Sequence, residues 1–159
     1  DHAAEYPIDL GRVYVSGGSA GGQLVLASVL ATSSGWSKDH SGQGLDPRLR
    51  VRGIVPFYPA VGLARDIGVA GAVELDQPSH LLGPGAPPAL VYQGRIDGMV
   101  PLARVRAFKE AWRASGASAI GLIEFPFAGH GSDLVFAGPF SQVFLYYMES
   151  FLALEGGRP

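Results

Sequence analysis

The sequence predicts an α/β fold: a parallel sheet of about four strands flanked by helices. Three observations predict it. Short apolar runs alternate with helix-like stretches along the chain. A glycine-rich turn, Gly17-Gly18-Ser19-Ala20-Gly21, joins one such run to one such helix. Ser19, Asp97 and His130 each follow an apolar run, which puts all three in loops at the carboxyl edge of a parallel sheet, where open α/β sheets bind their ligands.

The elements follow in order. Ala3–Tyr6 reads as the tail of a helix. Strand Val13–Ser16 leads through the glycine turn to helix Ala20–Thr32. Ser34–Leu49 is polar and glycine-rich and reads as a loop. Strand Val51–Tyr58 contains Pro56, which points to an edge position or an early end, because proline cannot donate to a ladder. Tyr58–Leu82 reads as a short helix and a loop over the site. Strand Ala89–Gln93 precedes helix Leu102–Ser115. There Leu102, Val105, Phe108 and Trp112 share one face at i+3 and i+4 spacing, with Gly116 just past the helix end. Strand Ile120–Phe125 and helix Ser141–Leu154 complete the set, and the tail Glu155–Pro159 is expected to fray. No repeat or linker interrupts residues 1–159, which read as a single domain.

Composition narrows the function. The 159 residues can enclose one sizeable core, and 47% of them are hydrophobic. A formal net charge of −2 gives no basic surface for nucleic acid or an anionic membrane. There are no cysteines, so disulfides and thiolate metal sites are excluded; the compartment stays open, with the cytoplasm favoured. No apolar run reaches the ~18 residues of a membrane span. His2, His40 and His80 lack ligand spacing and read as surface or loop residues, so neither a metal nor any other cofactor is expected. The glycine cluster has neither the dinucleotide spacing nor a following lysine.

The chemistry sits in three segments. Strand, Gly-x-Ser-x-Gly, helix is the setting of a nucleophile elbow. Gly17 and Gly21 lack a Cβ, so strand and helix can approach closely. Ser19 is then held clear of the backbone, and the Ala20 N–H, with Gly18 beside it, faces the place where an oxyanion forms. Asp97 follows the strand in Leu90–Gly94, and His130 follows the strand ending at Phe125. Serine is a weak nucleophile without a base in reach. His130 can take its proton and return it to a leaving group. Asp97 can hold the imidazole in the required tautomer. Asp133 and Glu124 are rival acids; Asp133, three residues past His130, also suits a turn cap. Trp36, Phe57, Tyr58 and Phe136 can line an acyl pocket or pack in the core. A glycine turn without chemistry is the bland alternative for the elbow.

On these segments the chain resembles the α/β-hydrolases, in particular bacterial carboxylesterases of the hormone-sensitive-lipase and acetyl-esterase-like type. Their elbow is similar to Ser16-Gly17-Gly18-Ser19-Ala20-Gly21-Gly22. Their acid segment is similar to Pro87–Gly94 followed by Asp97 and Val100-Pro101. Their histidine loop is similar to Ala128-Gly129-His130-Gly131. The chain order Ser, Asp, His is theirs too. The resemblance implies a carboxylesterase-type serine hydrolase acting on small carboxylic esters, or a peptidase of the same fold. It also implies an upstream His-Gly-Gly-Gly-type loop and several strands before the elbow, which this sequence does not contain. The chain is therefore expected to begin partway through the fold, as its carboxyl-terminal portion. Strand Val13–Ser16 would then be an edge strand that pairs with a second copy or with a complementing amino-terminal piece. The alternative function is a weakly active or inactive remnant that acts through assembly.

Overall fold

The computed structural model describes residues 5–41, 48–68 and 71–156. Four parallel strands form one sheet in chain order, β1 (Val13–Gly18), β2 (Val51–Phe57), β3 (Ala89–Gly94) and β4 (Ile120–Phe125). Parallel strands need crossover connections. Helix α1 (Ala20–Ser33) follows β1, α5 (Leu102–Ala114) links β3 to β4, and α6 (Pro139–Gly156) follows β4. Three short helices lie between them: α2 (Trp36–Ser41), α3 (Leu63–Asp66) and α4 (Val73–Asp76). Two single 3-10 turns, Pro78–Leu81 and Ser132–Leu134, complete the fold.

The strand period of two divides the core between the sheet's faces. Ile54 and Ala89 pack with Leu26 and Leu30 of α1 and with Phe108 and Trp112 of α5. Val55, Leu90 and Tyr92 point the other way, onto Phe144 of α6. α5 buries Val105, Phe108 and Trp112, the face its spacing predicts, and Gly116 beyond its end has φ 75°. α6 turns Ser141, Phe144, Met148 and Phe151 inward at helical spacing.

The structure departs from expectation in several places. Part of the expected loop Ser34–Leu49 is helical: Trp36–Ser41 forms α2, where the Trp36 and His40 rings stack at 4.0 Å. Its central residues 42–47 lie outside the described residues, as do residues 157–159 of the expected tail and Ala3 and Ala4 of the expected helix tail; Glu155 and Gly156, expected to fray, continue α6, and Glu5 and Tyr6 lie in a turn. Another departure is Pro56. It does not mark an edge: β2 lies between β1 and β3. Ile54 and Tyr58 send their N–H groups to the carbonyls of Pro88 and Tyr92, at 3.0 and 2.7 Å. Pro56 occupies the alternate position between them, so the interior strand forgoes one ladder bond to β3 and keeps the bonds on either side.

Candidate active site

Ser19 sits between β1 and α1 with φ 54° and ψ −119°. This is a conformation that serine rarely adopts, and the surroundings enforce it. The Ser19 N–H donates to Phe57 O at 2.9 Å, and its carbonyl accepts from Gln23 N and Ala60 N at 3.0 and 3.1 Å. The end of β2 therefore clamps the turn from one side and the first turn of α1 from the other. Close approach matters most at Gly17 and Gly22. A Cβ on Gly17 would lie 2.6 Å from Gly21 O, and one on Gly22 would lie 3.0 Å from Gly17 O. Gly21 itself faces open space, so the tight glycine on the helix side is Gly22 rather than the Gly21 that the pentapeptide singles out.

His130 lies between Ser19 and Asp97. Its Nε2 is 3.0 Å from Ser19 Oγ, and its Nδ1 is 2.9 Å from Asp97 Oδ2. A carboxylate only accepts, so the proton of the neutral ring lies on Nδ1. The Nε2 lone pair then faces the Ser19 hydroxyl, as proton transfer from serine requires. With both nitrogens engaged, the rival acids are accounted for elsewhere. Glu124 forms a two-pronged ion pair with Arg106, at 2.8 and 2.6 Å. Asp133 lies in the turn after His130, its carboxylate beside the Tyr58 hydroxyl.

Asp97 is held more firmly than its motif announces. Its side chain is fully buried. Burial by itself raises a carboxyl pKa. The amides of Val100 and Met99, at 2.8 and 2.9 Å, and the His130 imidazole outweigh it and hold Asp97 below the usual carboxylate range. Gln93 adds a further donor, Nε2 to Asp97 Oδ2 at 3.2 Å. That amide also donates to Gly94 O and Val100 O. All three neighbours are acceptors, which fixes the amide's orientation. Sequence reading missed Gln93; its signal is a glutamine that closes an apolar strand four residues before an acid.

The histidine loop is braced from below. Ser132 Oγ donates to Gly129 O at 3.0 Å and pairs with the Tyr92 hydroxyl at 2.6 Å. Ala20 opens α1, where a helix leaves its first amides without intrahelical partners. Gly18 closes β1 opposite Phe57 and lies against the Tyr58 ring. Of the four candidate pocket aromatics, Phe57 and Phe136 line a cavity of about 100 Å3 with Asp133, Ser141, Phe144 and Leu145. Trp36 packs on the α1 side of the core, and Tyr58 is buried against His130. No cluster among the described residues could hold a metal ion, and none of their helices is long and apolar enough to cross a membrane.

No protein-family model matches the sequence. Among known structures, the fold superposes on esterase 2 of Thermogutta terrifontis with a TM-score of 0.74 and 26% identity, over 95% of this chain and 58% of that one. It superposes on a carboxylesterase of Lactobacillus plantarum with a TM-score of 0.73 and 22% identity, over 96% and 64%. The chain belongs to the α/β-hydrolase superfamily. Its curated relatives include Esterase LipQ of Mycobacterium tuberculosis, 29% identical over 99% of this chain and 41% of that protein. LipM of the same organism, a probable carboxylic ester hydrolase, is 27% identical over 84% and 35%. The chain thus spans about two fifths of the length of these relatives.

Proposed function

We propose that this α/β-hydrolase chain carries the acyl-transfer machinery of a serine hydrolase that cleaves small carboxylic esters. The observation that carries the reading is the continuous line from Asp97 through His130 to Ser19. His130 Nε2 accepts the Ser19 proton as Oγ attacks the ester carbonyl carbon. The resulting oxyanion meets the Ala20 N–H at the start of α1, with the Gly18 backbone beside it. His130 then delivers its proton to the leaving alkoxide, and the acyl group stays on Ser19 as an ester. Water follows the same path: His130 deprotonates it, it attacks the acyl carbon, and Ser19 leaves with its proton restored. Asp97 holds the tautomer and stabilises the transient imidazolium. The similar Thermogutta terrifontis esterase 2 has been captured with propionate and with butyrate and phosphonylated by cyclosarin. These support a short acyl group and an electrophile-reactive serine as the first things to test.

The experiment is fluorophosphonate labelling, followed by hydrolysis of p-nitrophenyl acetate and butyrate. Labelling that disappears in Ser19→Ala, with far-UV circular dichroism unchanged, supports the assignment; undiminished labelling of that variant refutes it.

A second reading draws on the sheet edge. Among the described residues β1 is the outermost strand, and α6 exposes Val143, Tyr146, Tyr147 and Leu154. In that reading the chain acts through assembly and turns over weakly or not at all. A labelled serine with ester hydrolysis by the isolated chain at about 1 s⁻¹ or faster, the ordinary enzymatic range, excludes it.

A further inference from the structure

Tyr58 stands where β2 meets the elbow. With Ser19 it is one of two non-glycine residues, among those described, with positive φ, at 35°. A bulky side chain there is strained and persists only where its surroundings fix it. Here they do. The Tyr58 N–H donates to Tyr92 O at 2.7 Å, and the residue is 5% exposed. Its ring centroid lies 4.5 Å from that of His130, with the planes at 59°. A Cβ on Gly18 would lie 3.1 Å from the Tyr58 hydroxyl oxygen. Burial first, and then the nearby Asp133 carboxylate, push the phenol pKa up and hold it in its protonated form. The Oδ1 atom of Asp133 is buried without a hydrogen-bond partner, a cost that folded proteins retain sparingly.

The two hydrogen bonds of His130 leave one motion weakly resisted. They pin its nitrogens toward Asp97 and Ser19 but do little against tilting of the ring about the line joining those nitrogens. A wall against the ring face blocks that tilt. We propose that Tyr58 is the positioning residue for His130. Its ring holds the imidazole on the line between Asp97 and Ser19, and the Tyr58 N–H bond to Tyr92 O holds the residue in place. This rests on the serine-hydrolase reading of the site, but the placement of His130 can be read without turnover.

The test uses the full chain and two readouts: the downfield Nδ1 proton of His130 in the NMR spectrum, and the rate at which fluorophosphonate labels Ser19. Tyr58→Met keeps an apolar side chain in place but removes the aromatic wall. It should broaden the Nδ1 signal and slow labelling about tenfold or more, since a small misplacement of a reacting group is costly. Tyr58→Phe keeps the wall and should stay within about threefold of the parent by the same argument. Gly18→Ala should slow labelling, because its methyl group meets the Tyr58 hydroxyl. Adding Tyr58→Phe removes the oxygen it meets and should recover most of that loss, a coupling that independent sites do not show. A folded Tyr58→Met protein with parental signal and labelling overturns the proposal, and so does a Gly18→Ala loss that Tyr58→Phe leaves unchanged. If Tyr58→Met fails to fold, the Gly18 pair decides. If the parent itself is never labelled, the hydrolase reading fails. The Nδ1 signal, kept in Tyr58→Phe and lost in Tyr58→Met, then still decides the positioning.

Discussion

Gly94, the last residue of β3, runs directly beneath Ala128 in the histidine loop: a Cβ on Gly94 would lie 2.2 Å from the Ala128 carbonyl oxygen. The loop rests on that glycine. Ile96 N also donates to Ala128 O at 3.2 Å, so the acid loop and the histidine loop share one backbone anchor. Gly94→Ala must push the loop outward, because the obstacle is backbone and not a flexible side chain. Overpacking of this kind costs about 1–3 kcal/mol. The expected outcome is a lower denaturant midpoint together with a loss of Ser19 labelling that persists under fully folding conditions. A variant with normal labelling would show that the loop can rise without moving His130.

Gln93→Leu removes the buried amide that faces Asp97. Asp97 keeps the Val100 and Met99 amides, so the fold should survive. A hydrogen bond to a charged group is worth roughly 1.5–3 kcal/mol. The expected result is a fall in kcat with little change in KM, since Gln93 orients the acid and does not touch substrate. Ester kinetics of the variant check this; a KM effect with unchanged kcat counts against it.

Asp97 also predicts a pH dependence of stability. Its folded pKa lies below the ordinary carboxylate value. Its contribution is therefore complete above the unfolded pKa of about 3.9 and is lost as pH falls through the folded value. Urea midpoints should drop across that acidic window, and Asp97→Asn should flatten the drop. Glu124 is shifted the same way by Arg106, but that pair is partly exposed, where ion pairs contribute little. Glu124→Gln should therefore change the slope less. At neutral pH, Asp97→Asn should reduce turnover on the order of 10⁴-fold, because an amide can present its N–H to Nδ1 and favour the wrong tautomer.

Much of this was legible in the sequence. Apolar runs located all four strands, and i+3 and i+4 spacing located the inward face of α5. Ser19, Asp97 and His130 meet because each follows a strand, and parallel topology gathers those ends at one edge. What escaped had no local signature. Trp36–Ser41 is polar and begins beside a glycine, so nothing in its composition suggests that Trp36 would pack on the core and its helix would form. Pro56 was read by a rule about ladders, and the rule held only for one bond. Gln93, Tyr58 and Gly94 matter through contacts with loops 4 to 72 residues away. No window along the chain displays such contacts.

The sheet edge supplies the last prediction. Among the described residues β1 pairs with β2 on one side only, and its residues Val13 and Val15 are only partly covered. An apolar edge without charged guards invites another strand. On the face carrying α6, Tyr146 is 67% exposed and Leu154 81%. α6 also approaches β1 directly, through the Tyr14 hydroxyl on Leu152 O and the Tyr14–Phe151 ring contact. The free edge and the exposed apolar side chains thus lie on neighbouring elements, which suits one partner better than two. The isolated chain is expected to self-associate or to capture a complementing polypeptide along β1. Sedimentation at about 100 μM should give a species heavier than one chain, because a free strand edge beside exposed apolar side chains invites a partner. Tyr146→Glu with Leu154→Glu should shift the population toward single chains and leave the circular dichroism unchanged. A parent protein that sediments as a single chain at that concentration would end the argument for a partner at β1.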